Sequence, residues 1–197
     1  EQDKELLAIF ERTYGPIKRR GEAAGQHDQL AARKAFRSVG PSQNRTPAAP
    51  PPSGPEYLLV DGYNVIFAWD ELKAIAAEDV NAARERLVNI MSNYQGVRRC
   101  HLILVFDAYR APGSPGSIEQ YHNIHVVYTK EAETADMFIE RVTHEIGKNR
   151  RVRVATSDGM EQVIILGHGA LRVSARMFHE EVQDVEKEIR RCIQGEA

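Results

Sequence analysis

The sequence predicts a three-layer α/β domain over residues 56–197, with a central parallel sheet covered by helices on both faces. Two patterns carry that expectation. From residue 57 onward, short continuous apolar runs recur, and segments with apolar residues at three-to-four spacing stand between them. Runs that are apolar at successive positions suit strands buried on both faces, and such strands alternating with helices belong to parallel sheets.

Taken in order, residues 1–20 hold Leu6, Leu7, Ile9 and Phe10 among charges, then Lys18-Arg19-Arg20, which predicts a short amphipathic helix and a basic turn near Gly15-Pro16. Residues 21–55 are rich in Ala, Gly, Gln and Ser and carry Pro41, Pro47, Pro50, Pro51, Pro52 and Pro55 without apolar periodicity, the composition of a spacer leaning toward polyproline II. Tyr57-Leu58-Leu59-Val60 opens the domain as a strand. Asp79 caps a helix whose inward face is Val80, Ala83, Leu87, Ile90 and Tyr94. Residues 101–106 form a second strand, residues 111–116 a Pro/Gly loop, and residues 124–128 a third strand. Thr134 starts a helix with Phe138, Val142 and Ile146 on one face; residues 152–156 are a strand, 161–166 a short helix and 171–173 a brief strand. Ser174 then caps a final helix that buries Phe178, Val182, Val185, Ile189 and Ile193.

With 197 residues, 42% hydrophobic and 27% charged, the chain suits one folded domain and an appendage. No run is long enough to cross a bilayer, and no signal-peptide h-region opens the sequence, so a cytoplasmic location is expected. Cys100 and Cys192 lie far apart, which suits reduced thiols rather than a disulfide framework or zinc site. A net charge of −2 does not announce a nucleic-acid binder, yet an acidic metal site subtracts charge where it sits.

Ligands of open parallel sheets bind beyond the carboxyl ends of the strands. Asp61, Asp107 and Asp158 each follow or end an expected strand, and Asp136 falls in the first turn of the helix begun by Thr134. Carboxylates gathered on one edge repel and raise each other's pKa, a cost that a divalent cation relieves. Mg²⁺ or Mn²⁺ prefers such oxygen ligands, and a metal so held supports water attack on a phosphodiester. Asn64 can hold a water or phosphate without adding charge, or simply make an Asx-type turn; Gly62 lets the backbone turn near the site. An aspartyl-phosphate enzyme needs a second Asp where Tyr63 stands, and neither a GxxxxGK[ST] run nor a GxSxG elbow exists.

For holding a nucleic acid, Arg110 follows Asp107, Lys130 precedes the Asp136 helix, and Arg172 and Arg176 flank a strand-to-helix junction. The basic run Lys148-Asn149-Arg150-Arg151 with Arg153 precedes a strand and belongs to the opposite, amino edge, as a solvated turn. Tyr63 and Tyr109 can stack bases or pack internally. Spacing alone does not separate RNA from DNA.

Together, Asp61-Gly62-Tyr63-Asn64-Val65-Ile66, Val105-Phe106-Asp107, Thr134-Ala135-Asp136 with Glu140, and Thr156-Ser157-Asp158 resemble the NYN nuclease family, in its YacP-like branch related to PIN-domain ribonucleases. The likeness spans residues 57–193. It implies a PIN-like sheet, a Mg²⁺ or Mn²⁺ site and endonucleolytic cleavage of single-stranded RNA that leaves a 5′-phosphate and a 3′-hydroxyl; in a studied member of that branch, messenger RNA is cleaved on the ribosome. By the same resemblance Asp61, Asp107, Asp136 and Asp158 are metal ligands, Asn64 and Ser157 are supporting polar groups, and Glu133 is a further carboxylate nearby. Residues 6–20 resemble the tail of ribosomal-protection-type translation GTPases; with the Glu1 start, this suggests the C-terminal part of a longer protein that visits the ribosome. Two other readings stay open: a non-catalytic module binding RNA or the ribosome, and a structure-specific DNA nuclease on the related fold.

Overall fold

The computed structural model describes residues 18–19, 54–107, 115–147, 150–156, 164–165 and 170–194. Its elements begin with strands β1 (Lys18–Arg19) and β2 (Tyr57–Asp61), followed by helices α1 (Gly62–Ala68), α2 (Asp70–Glu78) and α3 (Val80–Arg98). Strands β3 (His101–Phe106), β4 (Ser117–Tyr121) and β5 (Ile124–Tyr128) lead to helix α4 (Ala135–Ile146). Strands β6 (Val152–Thr156), β7 (Ile164–Ile165) and β8 (Leu171–Ser174) precede helix α5 (Ala175–Gln194).

One sheet runs β1-β4-β5-β3-β2-β6-β8-β7. Its centre is parallel: β2 pairs with β3 and β6, β3 with β5, and β6 with β8. The expected central parallel sheet is present, and its flanks are mixed: β4 runs antiparallel to β5 and β7 antiparallel to β8. The β4–β5 hairpin turns at His122, which takes φ 49°, and its side chains grip α3: Tyr121 Oη donates to Asn89 Oδ1 at 2.7 Å and Asn123 Nδ2 donates to the Ser92 carbonyl at 2.9 Å.

Alternation along the strands sorts the core into two layers. Leu58, Val60, Leu102, Leu104 and Phe106 pack against α1, α2, α3 and α5. Tyr57, Leu59, Ile103, Val105, Val152 and Val154 pack against Phe138, Ile139, Val142 and Ile146 of α4. Among the described residues the result is three layers, with four helices on one face and one on the other.

The capping chemistry follows the sequence. Asp79 accepts from the Asn81 N–H at 2.8 Å, Thr134 Oγ1 from the Met137 N–H at 3.2 Å, and Ser174 Oγ from the Met177 N–H at 3.2 Å. Other expectations fail. Ile164 and Ile165 form a strand rather than part of a helix. Ile193 is 79% exposed, because α5 outruns the sheet it packs on. Arg153 is no solvated turn residue: its side chain is 16% exposed and ion-paired to Glu56 and Glu181. Residues 1–17 and 20–53 lie outside the described residues, and with them the expected N-terminal helix and nearly all of the spacer. Lys18 and Arg19, expected in a basic segment, form a parallel edge strand on β4.

Candidate active site

Side chains of a strand alternate between faces, so the parity of each strand decides where its last residue points. Counting from the buried pairs, Asp61 at the end of β2, Asp107 just beyond β3, Thr156 at the end of β6 and Arg172 within β8 all fall on the face covered by α4. Helix α4 begins at this same carboxyl edge and carries Asp136 in its first turn. Five chain segments thus bring polar side chains to one end of the sheet.

Asp61 is the centre. It is 4% exposed and caps α1. Asn64 supplies both of its partners: the backbone N–H donates to Oδ1 at 3.1 Å and Nδ2 donates to Oδ2 at 2.7 Å. The Asn64 amide also reaches Thr156 Oγ1 at 3.4 Å, linking β2 to β6. Asn64 is therefore engaged in positioning Asp61, rather than making a turn with its own side chain. Burial is the largest influence on the Asp61 carboxyl and pushes its pKa up to about 6. The Asn64 N–H works against that rise, while the charges of Asp136 and Asp107 add to it.

Asp107 accepts a hydrogen bond from the backbone N–H of Ala135, so the carboxylate sits at the amino end of α4, where the helix dipole favours negative charge. Asp136 is largely exposed, and Arg172 Nη2 stands 4.0 Å from its Oδ1. Arg172 Nε is buried and makes no hydrogen bond, leaving donor capacity beside the acidic group. Lys130 and Arg176 are exposed, the first just past β5 and the second in the first turn of α5. Glu133 turns away to pair with Arg141 at 2.6 Å, and Glu140 is exposed further along α4.

Tyr63 packs its ring edge-on to Phe106 at 5.3 Å and lies parallel to Phe67 at 6.3 Å. Phe106 also explains Gly62: a Cβ there would collide with the ring, so the glycine answers a steric demand rather than a backbone turn. Asp158, Ser157, Tyr109 and Arg110 lie outside the described residues. Thr156 and Phe67 were not singled out from the sequence as site residues. A threonine ending a strand reads as ordinary β-propensity, and Phe67 reads as core until its exposure of 49% is seen.

The chemistry of the donor set suits a hard divalent cation. A buried aspartate that burial and two further carboxylates hold toward its neutral form gains by cation neutralisation, and oxygen ligands favour Mg²⁺ or Mn²⁺ over softer metals. Among the described residues, no three acidic, histidine or cysteine side chains close into a metal-holding group. Among the same residues, no helix is long and apolar enough to cross a membrane.

Comparison with known proteins matches residues 58–197 to the family model of the YacP-like NYN domain. The chain is 41% identical over 139 residues to a Bacillus subtilis (strain 168) protein called Uncharacterized protein YacP, covering 70% of this chain and 81% of that protein. It is also similar to a crystal structure of a tryptophan-to-leucine mutant of Rae1 (YacP) from Bacillus subtilis, with a TM-score of 0.59 and 40% identity over 71% of this chain and 81% of that one. A further crystal structure of Rae1 (YacP) gives a TM-score of 0.58 and 39% identity over 71% of this chain and 80% of that one.

Proposed function

The chain belongs to the YacP-like NYN domain family, whose fold is that of PIN-related nucleases, and from that premise we propose that it is a metal-dependent endoribonuclease acting on single-stranded RNA at the carboxyl edge of its sheet. The observation that carries this reading is Asp61, buried, fixed at both oxygens by Asn64, and made costly to ionise by burial and by Asp136 and Asp107. Ionising such a carboxylate, with others beside it, costs the fold stability at neutral pH, and a bound cation offsets that cost.

In this mechanism Asp61, Asp107, Asp136 and Asp158 would hold Mg²⁺ or Mn²⁺, which would supply charge neutralisation and water activation for displacement at phosphorus. Asn64 keeps the Asp61 carboxylate in one orientation, and Thr156 keeps Asn64 in place. Arg172 offers its guanidinium to a phosphate oxygen beside Asp136, and Lys130 and Arg176, with Arg110, extend the positive contacts along the strand backbone. Tyr63, Tyr109 and Ser157 contribute contacts to bases and phosphate. The products carry 5′-phosphate and 3′-hydroxyl ends. The same reading makes the enzyme cytoplasmic and the ribosome its partner, supported by the resemblance of residues 6–20 to the tails of ribosomal-protection GTPases.

The test compares wild type with Asp61→Asn on a labelled single-stranded RNA, with and without ribosomes, across Mg²⁺, Mn²⁺ and chelator. A loss of at least about 100-fold in the variant, and in chelator, is expected from removing a charge-stabilising ligand. Equal cleavage by both proteins rejects the site. Cleavage confined to reactions with ribosomes makes the partner obligatory.

A further inference from the structure

Among the described residues four large apolar side chains are well exposed: Phe67, Met137, Met177 and Ile193. Ile193 is at the far end of α5. The other three gather at the carboxyl edge. Met137 follows Asp136 in the first turn of α4, and Met177 lies in the first turn of α5, just beyond β8. Phe67 is on α1, the helix capped by Asp61; the next residue but one, Trp69, donates its indole N–H to the carbonyl of Ala175, the first residue of α5, at 2.8 Å. Helices that start at the acidic edge thus carry apolar side chains into water, where apolar exposure is ordinarily removed by packing.

Phe67 is also the outer end of a ladder of rings. Tyr128 and Phe106 stack with centroids 5.8 Å apart, Phe106 meets Tyr63 at 5.3 Å, and Tyr63 and Phe67 lie near-parallel at 6.3 Å with 22° between planes. The inner rings fix the orientation of the outer one, so its free face is presented without the entropy cost of ordering a mobile side chain. Phe67 stands six positions after Asp61, about 9 Å along a helix axis, a span on the scale of one nucleotide step.

We propose that the Tyr63–Phe67 ring pair is a base-stacking platform, which receives the flat face of an unpaired base next to the scissile phosphate while Arg172 receives the backbone. The proposal rests on the ribonuclease reading above and gives it a means of selecting single-stranded substrate: a base held in a duplex has both faces covered and cannot be received. A ligand with a charged backbone and apolar flat faces matches a site that has cationic, acidic and apolar groups side by side, whereas an apolar protein surface would leave the carboxylates buried and unpaired.

The test uses full-length protein carrying Asp61→Asn to block cleavage, and reads binding by fluorescence anisotropy with two probes of equal length. One is oligoadenosine; the other is the same backbone without bases. Phe67→Ala is expected to weaken oligoadenosine binding by about 5-fold or more, from the range for one base–aromatic stack, and to leave the abasic probe unchanged. Phe67→Trp keeps the affinity and Phe67→Leu, apolar without a π face, does not. Equal weakening on both probes, or none on oligoadenosine, overturns the platform. Failure of the Asp61→Asn protein to bind oligoadenosine overturns the platform and the ribonuclease reading together. Phe67-dependent binding with no cleavage by the otherwise wild-type protein, with or without ribosomes, overturns the ribonuclease reading alone. A change in oligomeric state on Phe67→Ala, with RNA binding intact, assigns the ring to a protein interface and rejects the platform.

Discussion

At the amino ends of its strands the sheet carries a charge cluster of opposite signs, and at the carboxyl ends one in which carboxylates face each other. In the first, Arg153 of β6 meets Glu56 at 3.4 Å and Glu181 of α5 at 3.1 Å and donates to the Tyr94 hydroxyl at 3.0 Å, and Tyr94 of α3 donates to Glu181 at 2.6 Å. Arg98 adds a longer contact to the same glutamate at 3.9 Å. Burial works against the Arg153 charge, but Glu56, Tyr94 and Glu181 outweigh it and the net shift of its pKa is upward. In the second, burial and neighbouring charge combine to disfavour ionised Asp61. One edge is arranged for its own stability. The other keeps an electrostatic conflict, and that difference is what places the proposed reaction at the carboxyl edge.

Breaking each edge sharpens the contrast. The largest effect on folding belongs to the amino edge: Glu181→Ala leaves Arg153 with one carboxylate partner and the Tyr94 hydroxyl without its acceptor. We expect a loss of about 2–3 kcal/mol in urea denaturation, less than for a fully buried pair because both groups retain some exposure. RNA cleavage below the melting range should stay as in wild type; unchanged stability would remove the amino edge as a structural clamp.

The carboxyl edge should respond with the opposite sign. The Asp61 pKa rises from 3.8 to about 6 on folding, so the folded state holds the proton more tightly than the unfolded chain. The stabilisation this gives is complete below 3.8 and is lost as pH rises through about 6, a difference of at most about 3 kcal/mol. Asp61→Asn keeps a good helix cap and removes the titration. Metal-free Asp61→Asn is therefore expected to be more stable than wild type at pH 8, by up to that amount, and to lose the advantage by pH 4. Millimolar Mg²⁺ or Mn²⁺ should raise the wild-type melting temperature and leave that of the variant nearly unchanged. Identical pH–stability curves for the two proteins would end this account of the edge.

The smallest expected effect is chemical rather than energetic. Cys100, buried beside the amino edge, has its thiol pushed up to about 11 by burial first and by Glu56 second, whereas Cys192 is exposed. Maleimide at pH 8 should label Cys192 in the native protein and Cys100 only after denaturation. Rapid native labelling of both would show that the amino edge opens.

The central strands were legible because β2 and β3 are nearly continuous apolar runs buried on both faces, and β6 is β-branched or small at every position but Arg153. Residues 101–106 and 152–156 match β3 and β6, and the helix caps at Asp79, Thr134 and Ser174 announce themselves by residue type. Helix α1 was not legible: Gly62-Tyr63-Asn64-Val65-Ile66-Phe67-Ala68 contains β-branched and aromatic residues and no charge, a poor helix former in isolation. It is held by burial of Val65 and Ile66 and by the Asp61 cap. Strand β4 escaped because only Ile118 of its five residues is buried, and β7 because a short apolar run suits helix and strand alike. At the site, acids following strands could be read one by one. The Asp136–Arg172 approach and the Asn64–Thr156 contact could not, since each depends on which strands become neighbours.

Gly62 and Phe106 carry a consequence for how this domain can change. The ring of Phe106 occupies the volume where any side chain at position 62 would begin, so the two positions share one space between two consecutive layers of the fold. Drift at either site is constrained by the other: an alanine at 62 becomes tolerable only in a background where 106 has already become smaller, and that same step removes the ring on which Tyr63 rests. The mutational path is ordered, and its first move dismantles the base of the aromatic ladder before anything replaces it.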